Sequence, residues 1–489
     1  MVSAIARVSR QVSVGKISPQ SPPLSPSSQL RRSKSRCERY TQPTVIWQVL
    51  RETHEKSGEE HVRLVRMSWL LKQFRKSDRS GNYKLPRRQD LPEEAFVNVD
   101  DLEEMYDDFG AKSADLVLPI IAISYCWLTP DHPDPRGDQL ATVATALQRE
   151  MHHFTNFGYE EMGVFWDWMS LHQRDNKLWE PFMYREGSDG SLPKKYDTKK
   201  HRDKIQKYKT SRKPEHEESI GWALRETMDL WYAHKGTSVF LLTELPTRYS
   251  GKRPDYDSSG WTTYERSCAE LIKEFDLAYA GWRLVQELDC FSKRGIKQPR
   301  KKVSGGRRWP ISGADFEKLV REKAFTNGAD KDMVAQLYSR LSTELLGSAT
   351  ALGYAKMPTP SVLDGQRLGR CLNLCTSLKV LDVSSVRMSD EASIALCNAL
   401  DAGALPELED CHLEDNRIDD EGMRALAAAF RRGAMHRVKD IQLRVHRESA
   451  DMTARQDDGF NLLTSGLNLS ENPGKTRPVW EALGILEES

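Results

Sequence analysis

Five side chains between residues 118 and 267 have types that could do chemistry. They are the hydroxyl of Ser124, the carboxylates of Asp167 and Glu265, and the flat indoles of Trp127 and Trp261. Asp167 follows the apolar residues Gly163-Val-Phe-Trp166; an Asp there orients a substrate hydroxyl or caps the turn that follows. Glu265 closes the stretch Trp261-Thr-Thr-Tyr-Glu265. A Glu early in a helix complements the helix dipole, and Thr262 with Glu265 fits a capping box. A structural role for Glu265 therefore stands beside a catalytic one. The two tryptophans either stack on a flat base or fill the core. Cys126, His172 and Asp167 are the types of a nucleophile, base and orienter, but nothing in their spacing brings them together. Asp131-His132-Pro-Asp134 and His152-His153 have metal-ligand chemistry in a spacing that matches no ligand rule. Loop polarity accounts for them, and no metal or cofactor is expected.

These residues need a scaffold. Leu116–Ser124 is a continuous apolar run, the pattern of a strand buried on both faces. Gly163–Ser170 and Gly236–Thr243 are two more candidate strands, and helical patterns lie between them at Gln139–Phe154 and Ile220–His234. The alternation predicts an α/β domain with a central parallel sheet. In such sheets the ligand crevice lies beyond the carboxyl ends of the strands, which here are Tyr125-Cys126-Trp127, Ser170–Gln173 and Glu244–Pro246.

Four blocks occur in order: Ile121-Ala-Ile-Ser124-Tyr125-Cys126-Trp127, Phe165-Trp166-Asp167-Trp-Met-Ser170-Leu-His172-Gln173, Met228-Asp-Leu-Trp-Tyr232-Ala233, and Gly260-Trp261-Thr-Thr-Tyr-Glu265-Arg266. Together they resemble the heterokaryon-incompatibility (HET) domain over residues 118–267. Ser170 stands where that family has Cys, Tyr264 where it has Gln, and a basic insertion (174–218) separates the second and third blocks. HET domains are similar in fold to TIR domains, so the resemblance implies a flavodoxin-like parallel sheet. Many TIR domains signal by assembly and some hydrolyse NAD, using a Glu in a W-C-x-x-E helix motif whose spacing Trp261–Glu265 shares. By that likeness Glu265 would be the catalytic carboxylate of an NAD glycohydrolase. Ser124, Trp127, Asp167 and Trp261 would line the substrate site, and NAD would be a substrate rather than a cofactor. A carboxylate beside the ribose would stabilise the positive charge that develops as the nicotinamide bond breaks.

A repeat follows. Leu378-x-x-Leu381-x-Val383-x-x-Val386 returns thirty residues later as Leu408-x-x-Cys411-x-Leu413-x-x-Asn416 and begins again at Val438-x-x-Ile441-x-Leu443, with a degenerate copy at Leu467-Asn-Leu469. This resembles leucine-rich repeats of the ribonuclease-inhibitor type, one strand and one helix per unit. The resemblance implies a short solenoid that binds a protein partner on its strand face, with Asn416 satisfying turn backbone groups. The alternative is a packed cap on the α/β domain.

Composition bounds the remainder. The 489 residues carry 72 Lys+Arg against 71 Asp+Glu, so global charge names no partner. The longest largely apolar run, Val117–Leu128, is far short of the ~20 residues of a membrane span. Eight cysteines without a CxxC pair fit reduced thiols in a cytosol-like compartment. Residues 1–37 hold ten Ser, seven Lys/Arg and no acid, which predicts a disordered basic tail over 1–43; an organelle transit peptide shares that composition. Residues 44–112 read as a helical lead-in, 113–290 as the α/β domain, 291–365 as a basic loop and helical connector, and 366–489 as the repeats. Lys194–Lys213 carries ten Lys/Arg against two Asp, and Lys293–Arg308 eight without an acid. They read as solvated loops, with phosphate contact as the alternative; no nucleic-acid module accompanies them. The chain thus reads as a cytoplasmic signalling or defence-type protein with a HET/TIR-like effector, capable of self-association, and a repeat module. The alternatives are a non-catalytic interaction scaffold and a basic nucleic-acid-contacting protein.

Overall fold

The computed structural model describes residues 38–80, 83–113, 116–185, 192–251, 253–273, 282–288, 307–325, 330–418, 420–442 and 467–468. Residues 1–37 of the predicted tail (1–43), most of the second basic stretch and most of the degenerate repeat lie outside the described residues; the tail's last six residues are ordered instead, with Tyr40 buried and its hydroxyl donating to Asp229 at 2.8 Å. The chain divides into two compact units. The first holds Met1–Ala269, Phe275–Gly305 and Leu319–Leu337; the second holds Glu270–Glu274, Gly306–Lys318 and Tyr338–Ser489. Both are mixed α/β, each with one five-stranded, mostly parallel sheet. Among the described residues no helix is long and apolar enough to cross a membrane.

In the first unit the strands are β1 (Val65–Arg66), β2 (Ile120–Tyr125), β3 (Gly163–Phe165), β4 (Ser238–Leu242) and β5 (Val285–Glu287). Their order is β1-β3-β2-β4-β5. All pairings are parallel except β1 with β3, so the helical lead-in also supplies an antiparallel edge strand. β2 is central and buried at all six positions, because its Ile and Ala side chains meet apolar layers on both faces. Helices α1 (Pro43–Arg51), α2 (Met67–Ser80) and α3 (Val99–Asp108) form the lead-in, and α4 (Asp138–Asn156) covers one face of the sheet. Leu140, Val143 and Leu147 of α4 join Ile121, Ile123 and Phe240 in one fully buried cluster. The turn into α4 is fixed by Asp134, whose carboxylate accepts from the amides of Asp138 and Leu140, each at 2.8 Å. Gly137 takes a left-handed φ of 77° there; a Cβ would meet the Tyr83 carbonyl at 2.9 Å.

Several expectations are corrected. The strand predicted over Gly163–Ser170 ends at Phe165, and Asp167–Ser170 forms a short helix, α5. The Ser170 hydroxyl accepts from the Trp166 amide at 3.0 Å and closes that turn. The basic stretch 194–213 is not a loop: Lys199–Lys209 is helix α6, capped by Thr198. Part of its charge is paired, Arg202 with Asp197 and Arg212 with Glu217. The helix predicted over Ile220–His234 is two, α7 (Pro214–Glu226) and α8 (Met228–Ala233), broken at Thr227. Helix α9 (Gly260–Glu270) follows β4.

The second unit starts earlier than the repeat predicts. Helices α10 (Gly313–Arg321) and α11 (Asp330–Ser348) do not complete a purely helical connector, because β6 (Ala351–Gly353) follows and opens the second sheet. Then come helix α12 (Val362–Leu372), β7 (Val380–Asp382), α13 (Asp390–Ala399), β8 (Asp410–His412), α14 (Asp420–Arg431) and β9 (Asp440–Gln442). Strands β6 to β9 pair in parallel, and from β7 onward they keep a thirty-residue register, Leu381↔Cys411↔Ile441. The middle residue of each is buried, and the flanking ones described are more exposed. The last strand, β10 (Leu467–Asn468), pairs antiparallel with β9, so it is not a further parallel copy. Arg307, read from sequence as part of a basic loop, is buried and donates to the carbonyls of Glu270, Leu271 and Gly353.

Asn416 ties neighbouring turns together. Its amide donates to the carbonyls of Val383 and Leu413, both at 2.9 Å, and its oxygen accepts from the Met388 amide at 2.9 Å. Asn416→Ala strands three buried backbone groups, so chemical denaturation should show a loss of ~2–4 kcal/mol. A loss below ~0.5 kcal/mol, the size of an ordinary surface change, would show that water replaces the amide.

Candidate functional site

Strand order identifies the place to look. The chain leaves β2 to form β3 on one side and returns past β2 to form β4 on the other, so β2 and β4 flank the topological switch point, where open α/β sheets hold ligands. At its carboxyl end Ser124 and Tyr125 of β2 stand opposite Leu241 and Leu242 of β4.

Glu265 reaches this end from α9. It lies in the second turn of that helix, not the first, and Thr262 is no N-cap: its hydroxyl donates to the Tyr256 carbonyl. The predicted capping-box role is therefore excluded. Glu265 is 6 % exposed and Ser124 fully buried. Ser124 Oγ donates to Glu265 Oε2 at 2.7 Å, and Tyr256 OH lies 2.5 Å from Ser124 Oγ. With the serine proton committed to the carboxylate, the tyrosine donates. The nearby Tyr232 hydroxyl donates to the Ile123 carbonyl at 3.2 Å. Asp167, 4 % exposed, opens α5 just past β3. It accepts from Tyr125 OH and from the Trp168 amide, the latter at 2.7 Å. Gln173, six residues on, donates to the Asp167 carbonyl at 3.0 Å and holds the turn.

Among the described residues neither carboxylate has an ion-pair partner. Burial pushes the Glu265 carboxyl well above the ordinary range, and the nearby Asp167 charge pushes it further; the hydrogen bond from Ser124 and the nearby Tyr232 hydroxyl oppose this. Burial likewise raises Asp167, against the Tyr125 hydrogen bond.

Of the other candidates, Trp127 adjoins Asp167 and helps to lower its pKa. Trp127 is half-buried, with its ring edge-on to Trp168 at 5.3 Å. Trp261 is half-buried; its indole N–H donates to Asp330 at 3.1 Å, which turns its polar edge away from Ser124. Cys126, His172 and Asp167 form no triad. Burial holds the Cys126 thiol up at about 12. His172 stacks on His216 with ring centroids 3.8 Å apart, and burial, then Arg88 and His216, drive its pKa down to about 2. His132 faces the Leu85 carbonyl and Asp134 caps α4, so the metal-type loop is structural. Sequence reasoning missed Tyr256, which sits in a loop without any pattern, and Tyr125, whose only signal was its place beside Ser124.

Compared with family models, with curated proteins and with solved structures, the chain matches none.

A carboxyl with a raised pKa in the fold stabilises the protein below its unfolded value, about 4.5 for Glu, and that contribution is lost as pH rises through the folded value. The melting temperature should therefore fall as pH is raised from about 4.5 toward neutrality, and Glu265→Gln should flatten part of that fall. A variant whose pH profile parallels that of the parent would remove the raised carboxyl.

Proposed function

We propose that the first unit is a HET/TIR-like effector domain that cleaves NAD, and that the second is a leucine-rich-repeat module that recruits a protein partner. The observation that supports this most is the pair of buried carboxylates, Glu265 and Asp167, which lack an ion-pair partner among the described residues and lie near Ser124 at the carboxyl end of the sheet.

A buried carboxylate without a counter-charge is a poor structural element but a good receptor for a cation. The oxidised nicotinamide ring carries a positive charge. Bound beside Glu265, it would supply the missing counter-charge and favour the ionised carboxylate. As the bond between the ribose C1′ and the ring nitrogen breaks, its electron pair neutralises the ring, and positive charge passes to the ribose. Ionised Glu265 stabilises that charge. Water then bonds to C1′ and loses a proton to a carboxylate. Nicotinamide leaves neutral, so no strong acid is needed. The Ser124 and Tyr256 hydroxyls, now joined to each other and to Glu265, are suited to the ribose hydroxyls. Entry of substrate requires the Tyr256 loop to withdraw, because Glu265 is covered in the described state.

The scaffold reading rests on that same cover: a buried Glu265 bonded by Ser124 could serve packing alone. For the repeats, support comes from the regular parallel register of β6 to β9 and from Asn416.

Purified protein incubated with NAD should release nicotinamide. Glu265→Gln should lower the rate at least ~100-fold, the size of losing one preorganised electrostatic group. The reduced dinucleotide, whose nicotinamide ring is uncharged, should be cleaved far more slowly. Full activity in Glu265→Gln, or no nicotinamide release by the assembled protein, would leave the scaffold reading.

A further inference from the structure

A second group of side chains lies away from the β2–β4 switch point and is independent of the reading above. His172 follows α5, His216 belongs to α7, and Glu59 lies in the loop between α1 and β1. One ligand atom from each lies within 4.8 Å of the others. Glu59 Oε2 is 3.0 Å from His216 Nε2 and 3.5 Å from His172 Nε2, so both imidazoles turn the same nitrogen toward one carboxylate oxygen. His172 is 4 % exposed, and among the described residues neither of its ring nitrogens has a hydrogen-bond partner. A buried imidazole in this state has lost its hydrogen bonds to water without replacing them. Such a group in a native fold calls for an explanation, and a bound ion is one.

The surroundings discriminate between the two signs of ion. The nearest guanidiniums are largely engaged elsewhere, although Arg212 Nε has no hydrogen-bond partner among the described residues. Arg88 donates to the carbonyls of Glu60, His61 and Ser170. Arg174 and Arg212 share the carboxylate of Glu217 at 2.9 and 2.8 Å. An anion would have to approach against the Glu59 oxygen that both Nε2 atoms face. A cation would gain that carboxylate and two ring lone pairs. The spacing also fits. Ligands bound at ~2.0–2.1 Å in a tetrahedron stand ~3.3 Å from one another, close to the two observed separations.

We propose that Glu59, His172 and His216 form a binding site for a late first-row divalent cation, zinc being the representative case. Two imidazoles and one carboxylate are borderline donors that suit zinc better than magnesium or calcium, which take oxygen ligands. Three protein ligands leave the fourth position of a tetrahedron to water. Glu59 is 47 % exposed at its side chain, which gives the ion a way in. The imidazoles stack at 7°, so the two rings must tilt apart for their lone pairs to converge. A bound ion would join three separate segments of the chain: the lead-in, the turn after β3, and the helix at the end of the basic insertion.

The test uses the full chain, stripped with a chelator and dialysed against zinc chloride. Elemental analysis should find about one zinc per chain. X-ray absorption should show a nitrogen/oxygen shell at ~2.0–2.1 Å and no sulfur shell at ~2.3 Å. Glu59→Gln and His216→Ala, both at the more open side of the site, should each weaken zinc at least tenfold and abolish the zinc-induced rise in melting temperature, while their circular dichroism matches that of the parent. His172→Gln provides a third, buried variant. Zinc no higher than the buffer blank, a sulfur shell, or an affinity untouched by the two open-side substitutions would overturn the proposal.

Discussion

Two buried carboxylates, neither with an ion-pair partner among the described residues, set the character of the first unit. An ionised carboxylate in a low-dielectric interior is expensive unless paired. The fold keeps Glu265 and Asp167 by two means: burial favours the neutral acid, and hydroxyls rather than guanidiniums surround them. Ser124 and Tyr125 reach the pair from β2, Tyr232 from α8 and Tyr256 from the loop before α9. Hydroxyls can donate or accept, so the same shell serves either protonation state without moving. Arginine would hold the carboxylates ionised and close the question of their charge.

The sheet produces this gathering. Because β3 and β4 lie on opposite sides of β2, the segments after them diverge at its carboxyl end. Asp167 enters from the β3 side and Glu265 from the helix after β4. The short helix α5, stapled by Ser170, fixes where Asp167 starts, and Gln173 locks the turn from below. A three-residue strand such as β3 needs this support, since it carries few ladder hydrogen bonds of its own.

The legible parts of the chain were those with continuous or periodic apolar residues. Ile120–Tyr125 and Ser238–Leu242 announce buried parallel strands, and the thirty-residue spacing from Leu378 announces the second sheet. The misreadings have particular causes. Trp166–Ser170 prolongs an apolar run, and apolarity does not separate a strand from one turn of buried helix. Lys199–Lys209 reads as a loop because its charge hides a single buried anchor, Ile205. β6 offers only Ala351-Leu-Gly353, too short to join a repeat by eye. The constellation of Glu59, His172 and His216 leaves no mark in the sequence at all, since three separate segments deliver one ligand each. In the site, residue types pointed to Glu265, Asp167 and Ser124, while the tyrosines that bond them carried no spacing rule.

A structural and a catalytic Glu265 differ less in position than in protonation. As a packing element it is best neutral, bonded by Ser124 and covered by Tyr256. As a stabiliser of developing positive charge it must be ionised, which the same covering opposes. Uncovering alone would hydrate the carboxylate and lower its pKa, but would also weaken its field by raising the local dielectric. A cationic ligand that replaces the cover resolves the conflict. It ionises the acid by its charge while keeping water out, so the carboxylate acts at low dielectric only when there is charge for it to meet. If the proposed activity holds, burial of Glu265 would be the resting half of a two-state site, and the lack of a lysine or arginine partner among the described residues would make the other half selective for a cation.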